Sequence, residues 1–408
     1  MSMRWIIFTA LYLGFAWYCF QAFKTSFRNP LFANLYLVSA IFILGFFIFQ
    51  FTLTPEDSKT LTPYKSYSMG FMGSWLLFSI GVVFFLLFED VFRLLWAGIM
   101  KLLNWENPAV LPSRRKFIST LALGLAAIPF GALLYGMFRG KYRYRVLSYE
   151  LAYKDLPAAF DGYKITQISD IHSGSFDNAK KISYGIDLIN QQGSDVLLFT
   201  GDLVNNKASE MEPWKDLFGS LKAVDGKFSI LGNHDYGDYT SWESEAAKEA
   251  NLDRLKIIQK EMGFDLILNE HRYLEKDGQK IALVGVENWG KGGFKKAGDL
   301  NKAVSQVLDE DFKILLSHDP SHWEYEVVDH PLHFHLTLSG HTHGMQFGIE
   351  IPGWIKWSPI AWRYKYWAGI YESAGQYINV NRGFGFLGYP GRVGIWPEIT
   401  VITLKKSL

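Results

Sequence analysis

The chain has 408 residues and carries 41 Lys and Arg against 40 Asp and Glu, a formal net charge of +1. Such a balance offers no electrostatic footprint for nucleic acid. The single cysteine, Cys19, lies in an apolar run, which excludes a disulfide framework and a thiolate zinc site.

The first third is apolar and aromatic. Four runs, 5–23, 31–53, 70–88 and 117–138, are nearly free of charge. Each approximates the ~20 residues a helix needs to cross a bilayer. Four in succession predict an all-α transmembrane bundle rather than buried helices of a soluble protein. Three further runs behind the first argue against a cleaved signal peptide.

Basic residues set the orientation. The first loop carries Lys24 and Arg28, the second ("TPEDSKTLTPYKSY") is nearly balanced, and the third carries Arg93, Lys101, Arg114, Arg115 and Lys116. Loops one and three therefore read as cytoplasmic, and the chain after Phe138 as exoplasmic. Arg139, Lys141, Arg143 and Arg145 argue the other way, with less weight ahead of a long domain. The segment "SRRKFI" at 113–118 fits a twin-arginine export motif and, equally, a positive-inside anchor. Between the third and fourth runs, "VFRLLWAGIMKLLNW" fits an interfacial amphipathic helix or a plain cytoplasmic one.

From Tyr144 onward charges, Gly and Asn rise, and short apolar runs end in polar turns. "KITQISDIH", "DVLLFTGDLV" and "GKFSILGNHD" read as strands, with helices in "AKKISYGIDLINQQG" and "EPWKDLFGSLKAV" between them. A polar helix is expected around 242–262, then a strand with a DG turn in "EKDGQKIALVGVEN". "FKILLSHDP", "HFHLTLSGHTHG", "QYINVNRGFG" and "EITVITLKK" complete the strands. The alternation predicts an α/β domain, giving a transmembrane region over 1–143 and a second domain over 144–408.

The polar clusters fall at strand ends, where open α/β sheets build their sites. They are Asp170-Ile171-His172, Gly201-Asp202, Gly232-Asn233-His234-Asp235, His318, and Gly340-His341-Thr342-His343. Carboxylates gathered there without a cation would repel. Imidazole and carboxylate without thiolate suit Mn²⁺, Fe or Zn²⁺. Two metals ~3.5–4 Å apart need a shared ligand, for which Asp202 is the candidate.

This ordered set, D-x-H, G-D, G-N-H-D, H and G-H-T-H, resembles the calcineurin-like metallophosphoesterase superfamily, most closely its membrane-anchored or exported bacterial branch. The tail, with Asn381-Arg382-Gly383-Phe384-Gly385 and then Pro397-Glu398-Ile399, resembles that branch as well. The resemblance implies a β-sheet sandwich flanked by helices and two divalent metal ions. One ion would take Asp170, His172, Asp202 and His343, the other Asp202, Asn233, His318 and His341. It implies hydrolysis of a phosphomono- or diester by a hydroxide bridging the two metals. His234 would contact the phosphoryl oxygen or protonate the leaving oxygen, and Asp235 would hold its ring. Asn205 stands where phosphoprotein phosphatases of the superfamily carry an aspartate that orients this histidine. Met345 stands where the branch often has glycine.

Other histidines have plainer readings. His322 is expected behind the site, His333 and His335 to pack or face solvent, and His271 and His330 to lie at the surface. The stretch 352–370, "PGWIKWSPIAWRYKYWAGI", interleaves aromatics with Lys356, Arg363 and Lys365. Trp354, Trp357 and Trp362 are candidates for contact with the bilayer and a lipid-linked substrate; the alternative is a packed aromatic cap. The resemblance extends to enzymes that cleave UDP-diacylglucosamine, which favours a substrate at the membrane. A tethered enzyme for soluble phosphoesters and a non-catalytic metal-binding sensor or scaffold stand as alternatives. The expected partners are the bilayer and a phosphoester, with no nucleic acid and no obligate protein partner.

Overall fold

The computed structural model describes residues 3–52, 61–103 and 112–407. The chain divides into two compact units, one built from the N-terminal helices and one running from Phe138 onward.

The first unit contains α1 (Met3–Ser26), α2 (Leu31–Thr52), α3 (Pro63–Leu102) and α4 (Pro112–Phe138). All four are long and apolar enough to cross a membrane. Their packing follows the membrane pattern, in which small residues let helices approach and polar groups are satisfied inside. Ala16, Cys19, Ala22 and Ala40 lie in the interior. Tyr12 stacks on Trp75 at 4.1 Å and donates its hydroxyl to Ala40 O at 2.7 Å. Phe42, Phe84 and Phe88 point outward.

Helix α3 corrects one expectation. Its 40 residues form one continuous helix through 91–102, with no separate interfacial helix; Asn104 and Trp105 lie outside the described residues. No proline interrupts 64–102, and the acids within it are paired. Arg115 Nη1 lies 2.8 Å from Glu89 Oε2 and also pairs with Asp90, and Arg114 Nε lies 3.8 Å from Glu89 Oε1. Both arginines of "SRRKFI" are thus engaged within this helical unit.

The second unit is a sandwich of two mixed sheets. In chain order its strands are β1 (Arg145–Tyr153), β2 (Lys164–Ile168), β3 (Val196–Phe199), β4 (Lys227–Ser229) and β5 (Phe264–Leu266). Then come β6 (Glu270–Lys276), β7 (Gln279–Gly285), β8 (Lys313–Leu316), β9 (Leu336–Ser339), β10 (Ile349–Ile351) and β11 (Ile355–Trp357). β12 (Gly369–Ser373), β13 (Gln376–Val380) and β14 (Glu398–Lys406) close the chain. One sheet has the order β1-β14-β2-β3-β4-β5 and the other β12-β13-β9-β8-β7-β6, while β10 and β11 form a separate hairpin. β2 to β5 run parallel, as do β7, β8, β9 and β13.

Period-two alternation explains the layers. Val196 and Leu198 of β3 face the second sheet and meet Ile314, Leu316, Leu336 and Leu338. Leu197 and Phe199 face the opposite way, against α5 (Ala179–Asn190), α6 (Lys215–Gly219) and α7 (Glu245–Glu261). All four residues of β3 are buried, so the strand reads as a continuous apolar run. The sheet sandwich flanked by helices is the predicted architecture.

The expected strands form, though they stop short of the motifs: β2 ends at Ile168 and β3 at Phe199. Thus the motifs occupy the loops where parallel strands of both sheets terminate. Strands β1, β5, β6, β12 and the β10–β11 hairpin have no counterpart among the expected strands.

Leu198 is fully buried between the sheets, so Leu198→Ala leaves a cavity. The expected loss is ~2–5 kcal/mol of unfolding free energy, measured by urea unfolding of the detergent-solubilised protein.

Candidate metal centre

Backbone conformation sets the site. Asp170, His172, Asp202, His341 and His343 have φ of 50°, 49°, 62°, 71° and 50°. Left-handed backbone at non-glycine residues costs ~1–3 kcal/mol each and persists only where the surroundings over-determine it. Here the loops are stitched together. Asp170 N donates to Gly201 O at 2.9 Å, His172 N to Asp202 O at 3.1 Å, and Gly340 N to His318 O at 2.9 Å. Gly340 permits a close approach, because a Cβ there would lie 1.9 Å from Ser169 Oγ and 2.2 Å from Asp170 Oδ2.

Two groups of ligand atoms result, Asp170 with His172 and His343, and Asp202 with His318 and His341. In the first, His343 Nε2 lies 3.0 Å from His172 Nε2 and 3.1 Å from Asp170 Oδ1. In the second, His318 Nε2 lies 3.2 Å from Asp202 Oδ2. The same Oδ2 lies 3.5 Å from His172 Nε2, so one carboxylate oxygen faces both groups. The other oxygen, Oδ1, accepts from His234 N at 2.8 Å. Asn233 Oδ1 approaches His341 Nδ1 to 2.8 Å, while its Nδ2 donates to Tyr239 OH at 2.9 Å. This points the amide oxygen into the second group.

Protonation is shaped by burial and by neighbours. Burial would raise both aspartates, but His343 beside Asp170, and His318 and His234 beside Asp202, hold them below the usual carboxylate range. Burial pushes His172 well down and His234 down. His318 goes the other way: burial would lower it, but Asp202 brings it up to about 10. Its Nδ1 donates to Thr200 O at 2.7 Å, which aims Nε2 at Asp202.

A divalent cation fits both groups. His318 Nε2 and His172 Nε2 both face Asp202 Oδ2, at 3.2 and 3.5 Å, and His172 and His343 oppose ring nitrogens across a gap edged by a carboxylate. The donors are ionised carboxylates, imidazoles and one amide oxygen, a set suited to borderline transition metals. The proton on His318 compensates the carboxylates as a cation would, and metal binding would release it.

His234 differs in one detail from the expectation. His234 Nδ1 is 2.7 Å from the backbone carbonyl of Asn205. Asp235 does not hold that ring. Its carboxylate accepts from the N–H groups of Asp202, Leu203, Val204 and Gly232 at 2.8–3.3 Å. Burial, together with the neighbouring Asp202, raises it to about 7. Asp235 is therefore a brace between two loops. The side chain at position 205 is not what orients His234, since a main-chain oxygen does so.

Other residues reach the site unannounced. His341 Nε2 is 2.8 Å from Tyr364 OH and 3.7 Å from the buried carboxylate of Asp319. Arg392, wholly buried, donates from Nη2 to His343 Nδ1 at 3.2 Å. Phe294, Ile360, Arg363 and Tyr364 line a cavity of about 180 Å³ together with His234, His341 and His343. The aromatic stretch thus splits. Tyr364 and Trp367 turn inward into a small core with Ile395, while Trp354, Trp357 and Trp362 are 76%, 39% and 83% exposed.

The remaining histidines stand apart from both groups. His322 bonds Ser317 Oγ at 2.8 Å and stacks on Trp289 at 5.1 Å. His335 is a structural tie between Lys313 N at 2.9 Å and Asp155 Oδ2 at 2.6 Å.

The comparisons agree with this geometry. Residues 163–345 match the calcineurin-like phosphoesterase family, and residues 3–141 match the transmembrane domain of probable calcineurin-like phosphoesterases. The chain is 32% identical over 304 residues to YkuE of Bacillus subtilis, called an uncharacterized metallophosphoesterase, covering 72% of this chain and 98% of that one. This chain belongs to the calcineurin-like metallophosphoesterase family. The metallophosphoesterase is also 27% identical to a Danio rerio transmembrane protein with metallophosphoesterase domain, over 71% of this chain and 63% of the relative. A Helicobacter pylori metallophosphoesterase is 24% identical over 90% of this chain and 98% of its own length.

The contact from Tyr364 to His341 gives a test. Partners behind a metal-ligating histidine typically contribute ~10–100-fold in affinity. Tyr364→Phe is expected to weaken binding of one of two Mn²⁺ ions by about tenfold, read by calorimetric titration, with the unfolding midpoint unchanged.

Proposed function

We propose that this protein is a membrane-anchored phosphoester hydrolase whose substrate is a lipid-linked phosphomono- or diester at the bilayer. Residues 1–143 form the anchor and 144–408 the catalytic domain, which faces the exoplasmic side by the charge of the loops. The observation that carries the reading is the single oxygen of Asp202 that faces both ligand groups.

Asp170, His172, Asp202 and His343 hold one divalent ion, and Asp202, Asn233, His318 and His341 the other, with Mn, Fe or Zn as the ion. Bound there, the ions supply an acidified water at neutral pH and positive charge against the phosphoryl oxygens. His234, with Nδ1 tied to Asn205, keeps Nε2 to exchange a proton with the substrate. Asp235 serves by fixing the loop that presents Asp202. Arg363 adds a cation to the cavity wall, placed over Phe294 at 5.1 Å.

Size supports a substrate held mostly elsewhere. The cavity of about 180 Å³ is below the ~300–1,000 Å³ of sites that enclose a whole small molecule. It admits a phosphoryl group and its immediate substituents, leaving a lipid portion outside. The exposed Trp354, Trp357 and Trp362 suit an interfacial position.

Two experiments test this. With Mn²⁺, the purified full chain is expected to hydrolyse bis(p-nitrophenyl) phosphate. Asp202→Asn is expected to reduce this to background and His234→Ala to lower kcat by ~10²–10⁴-fold; a parent protein loaded with metal yet inactive on mono- and diesters would overturn the enzyme reading. Replacing all three exposed tryptophans by serine is expected to lower the ratio of lipid-linked to soluble phosphoester hydrolysis. An unchanged ratio would end the lipid-gathering role.

A further inference from the structure

A second cavity, of about 590 Å³, lies away from the metal centre and shares no lining residue with the metal-centre cavity. Its origin is in β1. Leu151 and Tyr153 join the core between the sheets. Arg145, Leu147 and Tyr149, on the same face of the strand, continue past it and form one wall. The β10–β11 hairpin supplies the opposite wall through Ile351, Trp354 and Ile355, and Trp396 adds to the lining.

The charges in this cavity are sorted by depth. Glu398 and Arg382 are buried and paired with each other, and Arg382 also bonds Glu350 through Nε at 3.1 Å. Arg382 thus bonds both carboxylates, the buried Glu398 and the half-buried Glu350, and the trio keeps one formal negative charge. Arg145 and Lys356 are exposed. The Lys356 ammonium contacts neutral oxygens, Ala368 O and Tyr371 OH, and lies 5.3 Å over the Trp367 ring. The result is an apolar interior, an internally paired floor and a basic mouth edged by exposed Ile351 and Trp354. A soluble polar ligand would find its deep partners already bonded. An amphiphile with an acyl chain and an anionic head fits both ends, and a chain with four membrane-length helices always has such molecules beside it.

We propose that this cavity binds an acyl chain of an anionic membrane phospholipid, with Arg145 and Lys356 on its headgroup, as a lipid site separate from the metal centre. The assignment rests on the membrane reading and not on hydrolysis, so it survives or fails independently of catalytic activity.

The test uses the full chain in nanodiscs containing phosphatidylglycerol with a diazirine near the acyl terminus, followed by irradiation and peptide mapping. Adducts are expected on the peptides bearing Leu147, Tyr149 and Trp396, besides those on α1 to α4, which serve as an internal reference. Leu147→Trp, which narrows the cavity at β1, is expected to lower the β1 adducts. The double variant Arg145→Glu, Lys356→Glu changes only exposed side chains. It is expected to lower labelling at these peptides by about tenfold relative to the reference, and to remove a preference over phosphatidylcholine. Labelling confined to α1–α4, Trp357 and Trp362 would overturn the proposal. So would β1 labelling that both variants leave unchanged.

Discussion

The carboxylate of Asp202 is the constraint on which the arrangement turns. One of its oxygens must face ligand groups drawn from both sheets, while the other receives the main chain of His234. That demands a left-handed residue at the end of β3 and a close approach of the following loop; a Cβ on Gly232 would sit 2.2 Å from Asp202 Oδ1. Asp235 completes the arrangement by gathering four N–H groups on its carboxylate, fixing the Asp202 loop to the Gly232 loop. A buried carboxylate so used trades its desolvation for backbone order.

The sandwich makes this possible because it brings the C-terminal ends of two sets of parallel strands to one rim. β2, β3 and β4 contribute Asp170, His172, Asp202, Asn233 and His234, while β8 and β9 contribute His318, His341 and His343. Between the sheets, just under the rim, the core becomes polar. Gln167 donates to Ser339 O at 2.9 Å, and Asn379 donates to Gln167 Oε1 at 2.7 Å. Such directional contacts fix the register of one sheet against the other more sharply than apolar packing does.

Much of this was legible in the sequence because the informative signals are side chains in order. The apolar run lengths marked the helices, alternation marked the central strands, and five short motifs marked the rim. The rest belongs to atoms or contexts that carry no residue signature. The carbonyl of Asn205 orients His234, and any residue possesses that atom. Tyr364 sits among similar aromatics, and only tertiary structure separates it from the outward-facing Trp362. Strand β1 mixes charged and apolar residues because one end is core and the other lines a cavity, so alternation is blurred. The extension of α3 past Glu89 and Asp90 looked like a boundary because two acids ended the apolar run, whereas Arg114 and Arg115 neutralise them within the helical unit.

The left-handed residues have a consequence for which ions are admitted. A cradle whose loops are already locked by main-chain hydrogen bonds has little freedom to expand around a larger guest. Calcium favours ~6–8 oxygen donors at ~2.3–2.6 Å in a pliant shell. Here four imidazoles and a pinned backbone offer the opposite, a donor set and a stiffness poorly matched to calcium.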